Sequence, residues 1–299
     1  MNNIKNNLKL IGDTPLVKIN LGIPNINVLA KLESYNLTGS IKDRMALYMI
    51  KKAQGRGLLK KGSIIIEATT GNTGIALAAL ANIYGYKLTV TMPEDVSRER
   101  VKILKKYGAK VILTSKDEGP MGAIRKRDEL TSKVPQSWTP MQFKNADNVK
   151  SHELGIGKEI LTQTNGRVNH IVHGIGTGGT LMGISKVMKK NHRETKIIAV
   201  EPEESAVLSG RKAGYHGIQG IGEGFIPLLV DTSLIDTVIT VSTKEAIAET
   251  RLLINKGILV GFSSGANIAA IKKLAKTITK PTTIVTIFAD RGERYLSVF

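Results

Sequence analysis

Short apolar segments alternate with longer amphipathic ones along most of this chain. The segment 63–67 is rich in β-branched residues and predicts a strand, and the apolar segment 75–84 predicts a buried helix. The alternation continues with predicted strands at 87–92 and 110–114 and predicted helices at 97–107 and 122–133. Short strands separated by helices are typical of parallel sheets covered on both faces. The pattern therefore indicates an α/β protein.

The same alternation extends to both sides of this region. Before it, we predict a short strand within 10–19, a strand at 28–32 and a helix at 40–55. An irregular stretch at 138–148 follows, where we expect the chain to cross between two domains. Beyond it we predict strands at 168–173, 196–200, 236–241, 259–262 and 282–289, and helices at 154–164, 180–190, 243–256 and 265–277. The glycine-rich segment 205–229 predicts a long loop, and loops of this length are usually functional.

Composition narrows the class of protein. The chain has 299 residues, 41% of them hydrophobic, and a mean hydropathy of −0.04, which suits a globular protein long enough for two domains. The longest apolar stretch, 75–81, is too short to span a bilayer, and 1–10 lacks the apolar core of a signal peptide. There are no cysteines, and the five histidines lack metal-ligand spacing. We expect a cytoplasmic protein that binds no metal and no membrane.

A net charge of +18 is large enough that nucleic-acid binding has to be considered. The basic residues are dispersed in pairs along predicted helices, and aromatic residues, which stack on bases, make up only 4% of the chain. The charge is therefore better explained as a surface that attracts anionic metabolites. Nucleic-acid binding stays open as a lower-ranked alternative.

Lys42 is a candidate for covalent chemistry. It lies in the segment 39–44 (GSIKDR), between a small-residue turn and charged partners. A buried lysine has a lowered pKa and can form a Schiff base with an aldehyde. The alternative is a solvated lysine in the first turn of the predicted helix, and that alternative is favoured if Lys42 is considered alone.

The loop 174–180 is a candidate phosphate site. It follows a strand and opens a helix, so its backbone N–H groups lie at the positive helix end. Its glycines also match the dinucleotide pattern GxGxxG, with Glu201 placed to bind a ribose. The hydroxyls of Thr177 and Thr180 suit a terminal monophosphate better than a pyrophosphate. A third interpretation is that these glycines serve only tight packing.

Two further loops connect strands to helices. The loop 69–73 offers three threonine hydroxyls and the amide of Asn72, which suit a carboxylate, while Asn72 also suits a phenolate oxygen. Ser263 offers a neutral hydroxyl that would suit a ring nitrogen. For both loops the alternative is an N-cap of the following helix, and for Ser263 alone the cap is the better interpretation.

Six segments appear in an order that resembles one enzyme family. They are 39–44 (GSIKDR), 69–74 (TTGNTG), 142–143 (QF), 176–180 (GTGGT), 220–225 (GIGEGF) and 290–297 (DRGERYLS). Together they resemble the cysteine synthase (O-acetylserine sulfhydrylase) family of pyridoxal-phosphate enzymes, which have the tryptophan synthase β-like fold. The match extends over nearly the whole chain. The tail resembles cysteine synthase B, whereas the segment 220–227 is closer to cysteine synthase A.

The resemblance implies a role for each loop. Lys42 carries pyridoxal 5′-phosphate as an imine and serves as the base for the α-proton. The other implied cofactor contacts are Asn72 at the ring hydroxyl, Ser263 at the ring nitrogen, and Gly176, Thr177, Gly178, Gly179 and Thr180 at the phosphate. The implied substrate contacts are Thr69, Thr70, Gly71, Thr73, Gln142 and Gly222. A serine at the ring nitrogen implies a largely unprotonated ring, which favours β-elimination over transamination.

The implied reaction is a β-replacement. O-acetylserine loses its acetate to give an α-aminoacrylate, and sulfide, or thiosulfate as an alternative donor, adds to yield cysteine. The implied architecture has two three-layer α/β domains with mostly parallel sheets and the cofactor in the cleft between them. We predict a smaller mobile domain at 36–147 and a larger cofactor-binding domain made of 1–35 and 148–299. A homodimer is the family expectation, and a complex with serine acetyltransferase is left open.

Several positions depart from the family pattern. Leu37-Thr38 replaces the usual Asn-Pro, Thr70 replaces a serine, and 152–158 lacks the usual threonines and proline. Glu223 stands where a small residue is common. These departures leave cystathionine β-synthase or a serine dehydratase-like enzyme as alternatives, with a nicotinamide-dependent oxidoreductase as a rival of another class.

The segment 219–225 bears on the choice of substrate. Relatives that use O-phosphoserine have an arginine near the position of Gln219, so this chain is expected to prefer O-acetylserine. A Glu223 side chain that points inward would strengthen the preference. If it points outward instead, Arg211 or Lys212 is the candidate to hold a phosphate.

Overall fold

The strands form two separate sheets in which most neighbours run parallel. The computed structural model describes residues 6–298. Its strands are β1 (Leu16–Ile19), β2 (Ile26–Leu32), β3 (Ile64–Ala68), β4 (Lys87–Pro93), β5 (Lys110–Thr114), β6 (His170–Gly174), β7 (Lys196–Pro202), β8 (Thr237–Val241) and β9 (Thr282–Phe288). The larger sheet has the order β1-β2-β9-β6-β7-β8, and the smaller has the order β3-β4-β5. The β1–β2 pair is antiparallel, and the other pairs are parallel.

The helices cover these sheets and connect their strands. They are α1 (Lys42–Gly55), α2 (Asn72–Tyr84), α3 (Arg98–Lys106), α4 (Gly119–Lys133), α5 (Ala146–His152), α6 (Lys158–Gln163), α7 (Gly179–Asn191), α8 (Thr243–Asn255) and α9 (Phe262–Ala275). A π-helical turn, Glu153–Gly157, joins α5 to α6. The tail after β9 contains a short 3-10 helix, Gly292–Tyr295. Strands that alternate with helices confirm the predicted α/β class.

The two ends of the chain meet in the larger sheet. Strand β9 pairs with β2 over seven residue pairs, from Ile26↔Thr282 to Leu32↔Phe288. The smaller sheet is built only from residues between 64 and 114. An arrangement in which the N-terminal arm belongs with the C-terminal half is consistent with these pairings. The domain limits at residues 36 and 147 stay a prediction.

Apolar side chains on the larger sheet point alternately to its two faces. Ile198 and Ile284 pack with residues of α9 on one face, and Ile197 and Val285 pack with residues of α7 on the other. A third apolar cluster surrounds the smaller sheet, with Val90 at its centre. Full burial of such a side chain stabilises the fold by about 1.5–3 kcal/mol. Both faces of the central strands are therefore apolar, as the alternation of short apolar strands with helices predicted.

Two predicted segments differ from the structure. The strand predicted at 259–262 is absent, because α9 begins at Phe262 and Val260 forms only an isolated bridge with Arg291. The C-terminal tail packs closely on this segment, since a Cβ on Gly261 would lie 2.3 Å from Asp290 Oδ1. The helix predicted to start at 154 begins at Ala146 as α5, since the Asn145 side chain accepts a hydrogen bond from Asp147 N at 3.0 Å.

Two absences hold for the described part of the chain. None of its helices combines the length and apolar character needed to cross a membrane. Residues 6–298 also contain no group of three or more His, Asp or Glu side chains that could hold a metal ion.

Candidate active site

A cleft with about 730 Å³ of open space lies between the two sheets. Lys42, Ser263 and Gln142 line it, together with parts of the loops at 69–73 and 174–180. These residues come from distant parts of the chain, and each loop lies where a strand passes into a helix. The structure thus brings the predicted site segments into one place. Of the predicted residues, Gly71, Gly179 and Gly222 lie next to the lining without forming part of it.

Lys42 is the first residue of α1, and its half-buried side chain lines the cleft. Burial lowers the pKa of its amine, and the carboxyl groups of Glu223 and Asp290 oppose that shift. The turn before it is anchored, because Ile41 N donates to Ala289 O at 2.8 Å. An amine with a lowered pKa is available as a nucleophile and a base. The partial burial of Lys42 and its position in the cleft therefore favour the chemical interpretation over a solvated surface lysine.

Thr38, one of the departures from the family pattern, supports the lysine turn. Its N–H donates to Asp43 Oδ2 at 2.7 Å, and its hydroxyl donates to Asp43 Oδ1 at 2.5 Å. A proline at this position would lack both donors. Burial raises the pKa of Asp43 to about 6, and the two hydrogen bonds from Thr38 oppose the shift.

The loop 174–180 is shaped to hold a small anion. It joins β6 to the 13-residue helix α7, and Gly178 has a φ of +84°. A Cβ on Gly176 would lie 2.5 Å from Gly220 O, and a Cβ on Gly179 would lie 2.0 Å from Asn148 Oδ1. Side chains are thus excluded where backbone N–H groups at the helix end must approach a ligand.

Two polar side chains hold the threonines of this loop. Asn148 Nδ2 donates to Thr177 Oγ1 at 3.1 Å, and His152 Nε2 lies 3.3 Å from Thr180 Oγ1. Burial lowers the pKa of His152, and the charge of Lys42 adds to the shift, so the imidazole is neutral. Asn148 Oδ1 and His152 Nδ1 are buried without hydrogen-bond partners among residues 6–298. Sequence reasoning missed both residues because neither lies in a glycine-rich motif.

The loop 69–73 forms the start of α2. The helix begins at Asn72, three residues earlier than predicted, so its first N–H groups point into the cleft and suit a carboxylate. No side chain caps α2, which removes the N-cap interpretation. Thr73 Oγ1 donates to Gln142 Oε1 at 2.7 Å, and Gln142 Nε2 donates to Ala68 O at 2.9 Å. These bonds fix the orientation of Gln142 beside the loop.

Ser263 and Asn72 have different surroundings. Ser263 is the second residue of α9 and lines the cleft, and the N-cap is Gly261, so Ser263 does not cap the helix. Asn72 Nδ2 donates to Asp290 Oδ2 at 2.6 Å, and its Oδ1 accepts from Arg294. The side chain of Asn72 therefore contacts the C-terminal tail at the edge of the cleft.

Arg100 is a site residue that sequence reasoning did not identify. Only 1% of its surface is exposed, and it lines the cleft from α3. Its guanidinium donates to Thr70 O at 3.2 Å, to Gln219 Oε1 at 2.5 Å and to Tyr295 Oη at 2.7 Å. Arg100 thus connects the loop 69–73, the loop that carries Gln219 and the C-terminal tail. No feature of the sequence around Arg100, which lies one turn after Ser97, indicated this role.

Glu223 points into the cleft, which answers the question that the sequence left open. Its carboxyl interacts electrostatically with Lys42 and Arg100. Burial raises the pKa of this carboxyl, and the charges of Lys42 and Arg100 oppose the rise. Arg211 and Lys212 are exposed and do not line the cleft. The structure therefore does not support either of them as a phosphate ligand.

Known proteins are similar to this chain in sequence and in architecture. A family model described as pyridoxal-phosphate dependent enzyme matches residues 8–290. A cysteine synthase of Staphylococcus aureus is 44% identical over 298 residues, which are 98% of this chain and 96% of that protein. The crystal structure of cysteine synthase from Entamoeba histolytica has a TM-score of 0.92 at 40% identity, with 98% of this chain and 89% of that chain covered. An O-acetylserine dependent cystathionine beta-synthase from Helicobacter pylori has a TM-score of 0.93 at 39% identity, with 98% and 97% covered.

Proposed function

Since this chain belongs to the family of pyridoxal-phosphate dependent enzymes, we propose that it is a cysteine synthase that uses O-acetylserine and sulfide. Its cofactor is pyridoxal 5′-phosphate, and cysteine synthesis is the activity of its relatives at 44% identity over nearly the full chain. The observation that carries the proposal for the site is the position of Lys42. This half-buried lysine lies in the same cleft as the two loops that we propose as anion-binding.

The residues of the cleft fit the cofactor. The loop 174–180 has no room for side chains at Gly176 and Gly179, and it lies at the N-terminus of α7, as a phosphate ester requires. Lys42 has the lowered pKa that imine formation with an aldehyde requires. Ser263 presents a neutral hydroxyl to the same cleft.

We therefore assign the cofactor contacts to this chain's own residues. Lys42 would hold the aldehyde carbon, the loop 176–180 would hold the phosphate, and Asn72 and Ser263 would lie at the ring. When bound, the cofactor supplies an electron-withdrawing ring that stabilises negative charge at the α-carbon of an amino acid. The release of Asn72 from Asp290 would be needed for a direct contact with the ring, because the two side chains are hydrogen-bonded at 2.6 Å.

The protein's part in the reaction follows from these positions. The threonine hydroxyls and the first N–H groups of α2 bind the substrate carboxylate, with Gln142 held beside them by Thr73. The amine of Lys42 removes the α-proton and later returns it, since it lines the cleft and its pKa is lowered. The acetate of O-acetylserine leaves as a stable anion, and sulfide takes its place on the β-carbon.

The preference for O-acetylserine over O-phosphoserine rests on the charges near Gln219. Arg100 is the nearby cation, and its Nη1 and Nη2 already donate to Thr70, Gln219 and Tyr295, so that its Nε is the donor without a partner among residues 6–298. Glu223 offers no positive charge. A doubly charged phosphate would therefore meet one free Nε donor beside the Glu223 carboxyl, and an incompletely paired buried charge costs several kcal/mol.

A product assay tests the proposed function. The purified holoenzyme would be offered O-acetylserine, O-phosphoserine and serine, each with sulfide, thiosulfate or homocysteine. We expect cysteine from O-acetylserine and sulfide with the highest kcat/KM. A higher kcat/KM with O-phosphoserine, or cystathionine as the main product with homocysteine, would contradict the proposal. The second outcome would favour the activity named for the Helicobacter pylori relative.

We also propose a homodimer in the cytoplasm, with a mobile smaller domain at 36–147 and a larger domain made of 1–35 and 148–299. The paired strands β2 and β9 support the grouping of the two chain ends. Sedimentation equilibrium would measure the oligomeric state, and co-purification with serine acetyltransferase would test that complex. A monomer at micromolar concentration would contradict the dimer.

A further inference from the structure

Glu223 is held in the cleft by the backbone of its own loop. Gly220, Gly222 and Gly224 have φ values of +98°, +71° and +80°, a conformation that other residues rarely adopt. Gly222 N donates to Ile175 O at 3.0 Å, which ties the loop to the segment 174–180. Between these glycines, Ile221 is buried against Gly174, and Glu223 extends towards Lys42 and Arg100. The direction of Glu223 is therefore built into the loop.

Among residues 6–298, the carboxyl of Glu223 has no hydrogen-bond or ion-pair partner, although it lines the cleft. Other acidic groups near the cleft are engaged: Asp290 Oδ2 accepts from Asn72 and Tyr295, and Glu67 accepts from the backbone N–H groups of Ala68 and Gln142. An unpartnered carboxyl in a cleft is costly unless it takes up a proton or meets a ligand.

We propose that Glu223 is a catalytic acid and base for the group on the substrate β-carbon, and that it extends this enzyme to amino acids with a hydroxyl leaving group, such as serine. The proposal rests on the proposed β-replacement function. Acetate leaves as a stable anion and needs no proton, whereas a hydroxyl group leaves only when an acid protonates it. Burial raises the pKa of Glu223, so the carboxyl keeps a proton to donate at a pH where an ordinary glutamate is ionised.

The proposed step balances without any further reactant. The Cβ–O bond of serine breaks while the Glu223 carboxyl gives its proton to the departing oxygen, and water leaves. The Glu223 carboxylate then takes a proton from hydrogen sulfide, and the Cβ–S bond forms. Lys42 removes and returns the α-proton. The sum is serine and hydrogen sulfide giving cysteine and water, with no oxidant or reductant.

The other titratable groups that line the cleft are less suited to this role. Lys42 is occupied with the α-proton, and the guanidinium of Arg100 is bonded to three partners. The Oδ2 atom of Asp290 accepts from Asn72 and Tyr295, which fixes the orientation of this carboxyl, while its Oδ1 has no hydrogen-bond partner among residues 6–298. Burial lowers the pKa of His173 to about 3, with a contribution from Lys42, so His173 carries no acidic proton at neutral pH.

The first test compares two substrates in three proteins. Wild type, Glu223→Gln and the exposed control Glu203→Gln are assayed as holoenzymes with serine and sulfide and with O-acetylserine and sulfide. We expect Glu223→Gln to lower the ratio of kcat/KM for serine to that for O-acetylserine by about 100-fold, because an amide has no acidic proton. We expect the control to match wild type on both substrates.

Each other outcome has a defined meaning. An unchanged ratio in Glu223→Gln, whether or not both rates fall, overturns the proposal and gives Glu223 a structural role or none. Wild type that uses O-acetylserine but not serine also overturns it, and leaves the proposed function intact. Wild type that uses neither substrate contradicts the proposed function itself.

A second readout does not depend on turnover. Glutamate labelled with ¹³C at the side-chain carboxyl would be incorporated into the holoenzyme, and the Glu223 signal identified as the one missing in Glu223→Gln. We expect this signal to titrate above the ordinary glutamate pKa of about 4.3. Titration at or below that value would overturn the proposal even if the variant were impaired. An unchanged visible absorption of the bound cofactor in Glu223→Gln would establish that the site is intact.

Discussion

Tyr295 Oη lies 2.7 Å from Arg100 Nη2, and the tyrosine ring centroid lies 4.7 Å from the guanidinium carbon. The two residues are 195 positions apart and come from the tail after the larger sheet and from the helix α3 beside the smaller one. Ser97, also at the start of α3, donates its hydroxyl to Arg294 O at 2.6 Å in place of capping the helix. The C-terminal tail is therefore bonded to the part of the protein that holds the loop 69–73.

We predict that Tyr295→Phe weakens this connection. The variant leaves the Arg100 donor unsatisfied and removes the hydroxyl that donates to Asp290, so the free energy of unfolding should fall by about 1–3 kcal/mol. The KM for O-acetylserine should rise, because Arg100 also holds Thr70 O. Urea denaturation and steady-state kinetics measure the two effects. Tyr215→Phe is the control, since 85% of Tyr215 is exposed, and equal stability of the two variants would contradict the prediction.

We predict that Lys42→Ala abolishes the visible absorption of the bound cofactor and lowers kcat by at least about 1,000-fold. In the proposed function the lysine supplies both the covalent link and the base, and no second amine lines the cleft among residues 6–298. Absorption spectra and a cysteine assay measure the outcome. Lys51→Ala, an exposed change on the same helix, should behave as wild type. Turnover in Lys42→Ala at the wild-type rate would remove the central assignment.

We predict that Gly178→Ala weakens cofactor binding at least about 10-fold, because the added Cβ would lie 2.6 Å from Val230 Cγ2 and would shift the loop. Gly210→Ala is a matched control, since its φ of +77° resembles the +84° of Gly178 but no atom lies within 4 Å of an added Cβ. Both variants carry the same backbone strain. Titration of the apoenzyme with pyridoxal phosphate compares them, and equal affinities would show that the loop does not hold the cofactor.

We predict that Thr73→Val raises the KM for O-acetylserine about 10-fold while cofactor absorption stays the same. The change removes the hydroxyl that donates to Gln142 Oε1 at 2.7 Å and that we propose as a contact of the substrate carboxylate. Thr277→Val, at an exposed position, serves as the control. A fall in kcat with an unchanged KM would show that Thr73 does not act in substrate binding.

We predict that Glu159 makes the free energy of unfolding depend on pH in the acid range. Burial alone would raise its pKa, but the hydrogen bond and charge of Arg44, together with Lys31, lower the pKa to about 2. A lowered folded-state pKa contributes stability above the ordinary value near 4.5, and that stability is lost as the pH falls towards 2. Glu159→Gln should therefore cost about 2 kcal/mol at pH 7, and the difference from wild type should shrink below pH 4.5.

Urea denaturation at several pH values measures this difference. The exposed change Glu194→Gln should follow wild type throughout. A difference between Glu159→Gln and wild type that stays constant from pH 7 to pH 3 would show that the ion pairs with Arg44 and Lys31 do not cause it.

The sequence alone was sufficient to predict the α/β fold class and the positions of the loops that we propose to bind the cofactor and the substrate. Strand and helix periods, and the glycines and threonines where one passes into the other, are local properties of the chain, so the loops at 69–73 and 174–180 were recognisable before any contact was known. Lys42 was a candidate only because these loops followed it. Local patterns also misplaced some boundaries, since the cap at Asn145 and the early start of α9 were overlooked.

Only the tertiary structure decided which residues surround these loops. Arg100 and Tyr295 meet across 195 positions, Asn72 meets Asp290 across 218, and the hydroxyl of Ser97 is taken by the tail and not by its own helix. The inward direction of Glu223 depends on the packing of its loop against Ile175. Hydrogen bonds, packing and burial between distant segments set these contacts and the pKa values that result from them, and no local pattern records which distant segments will meet.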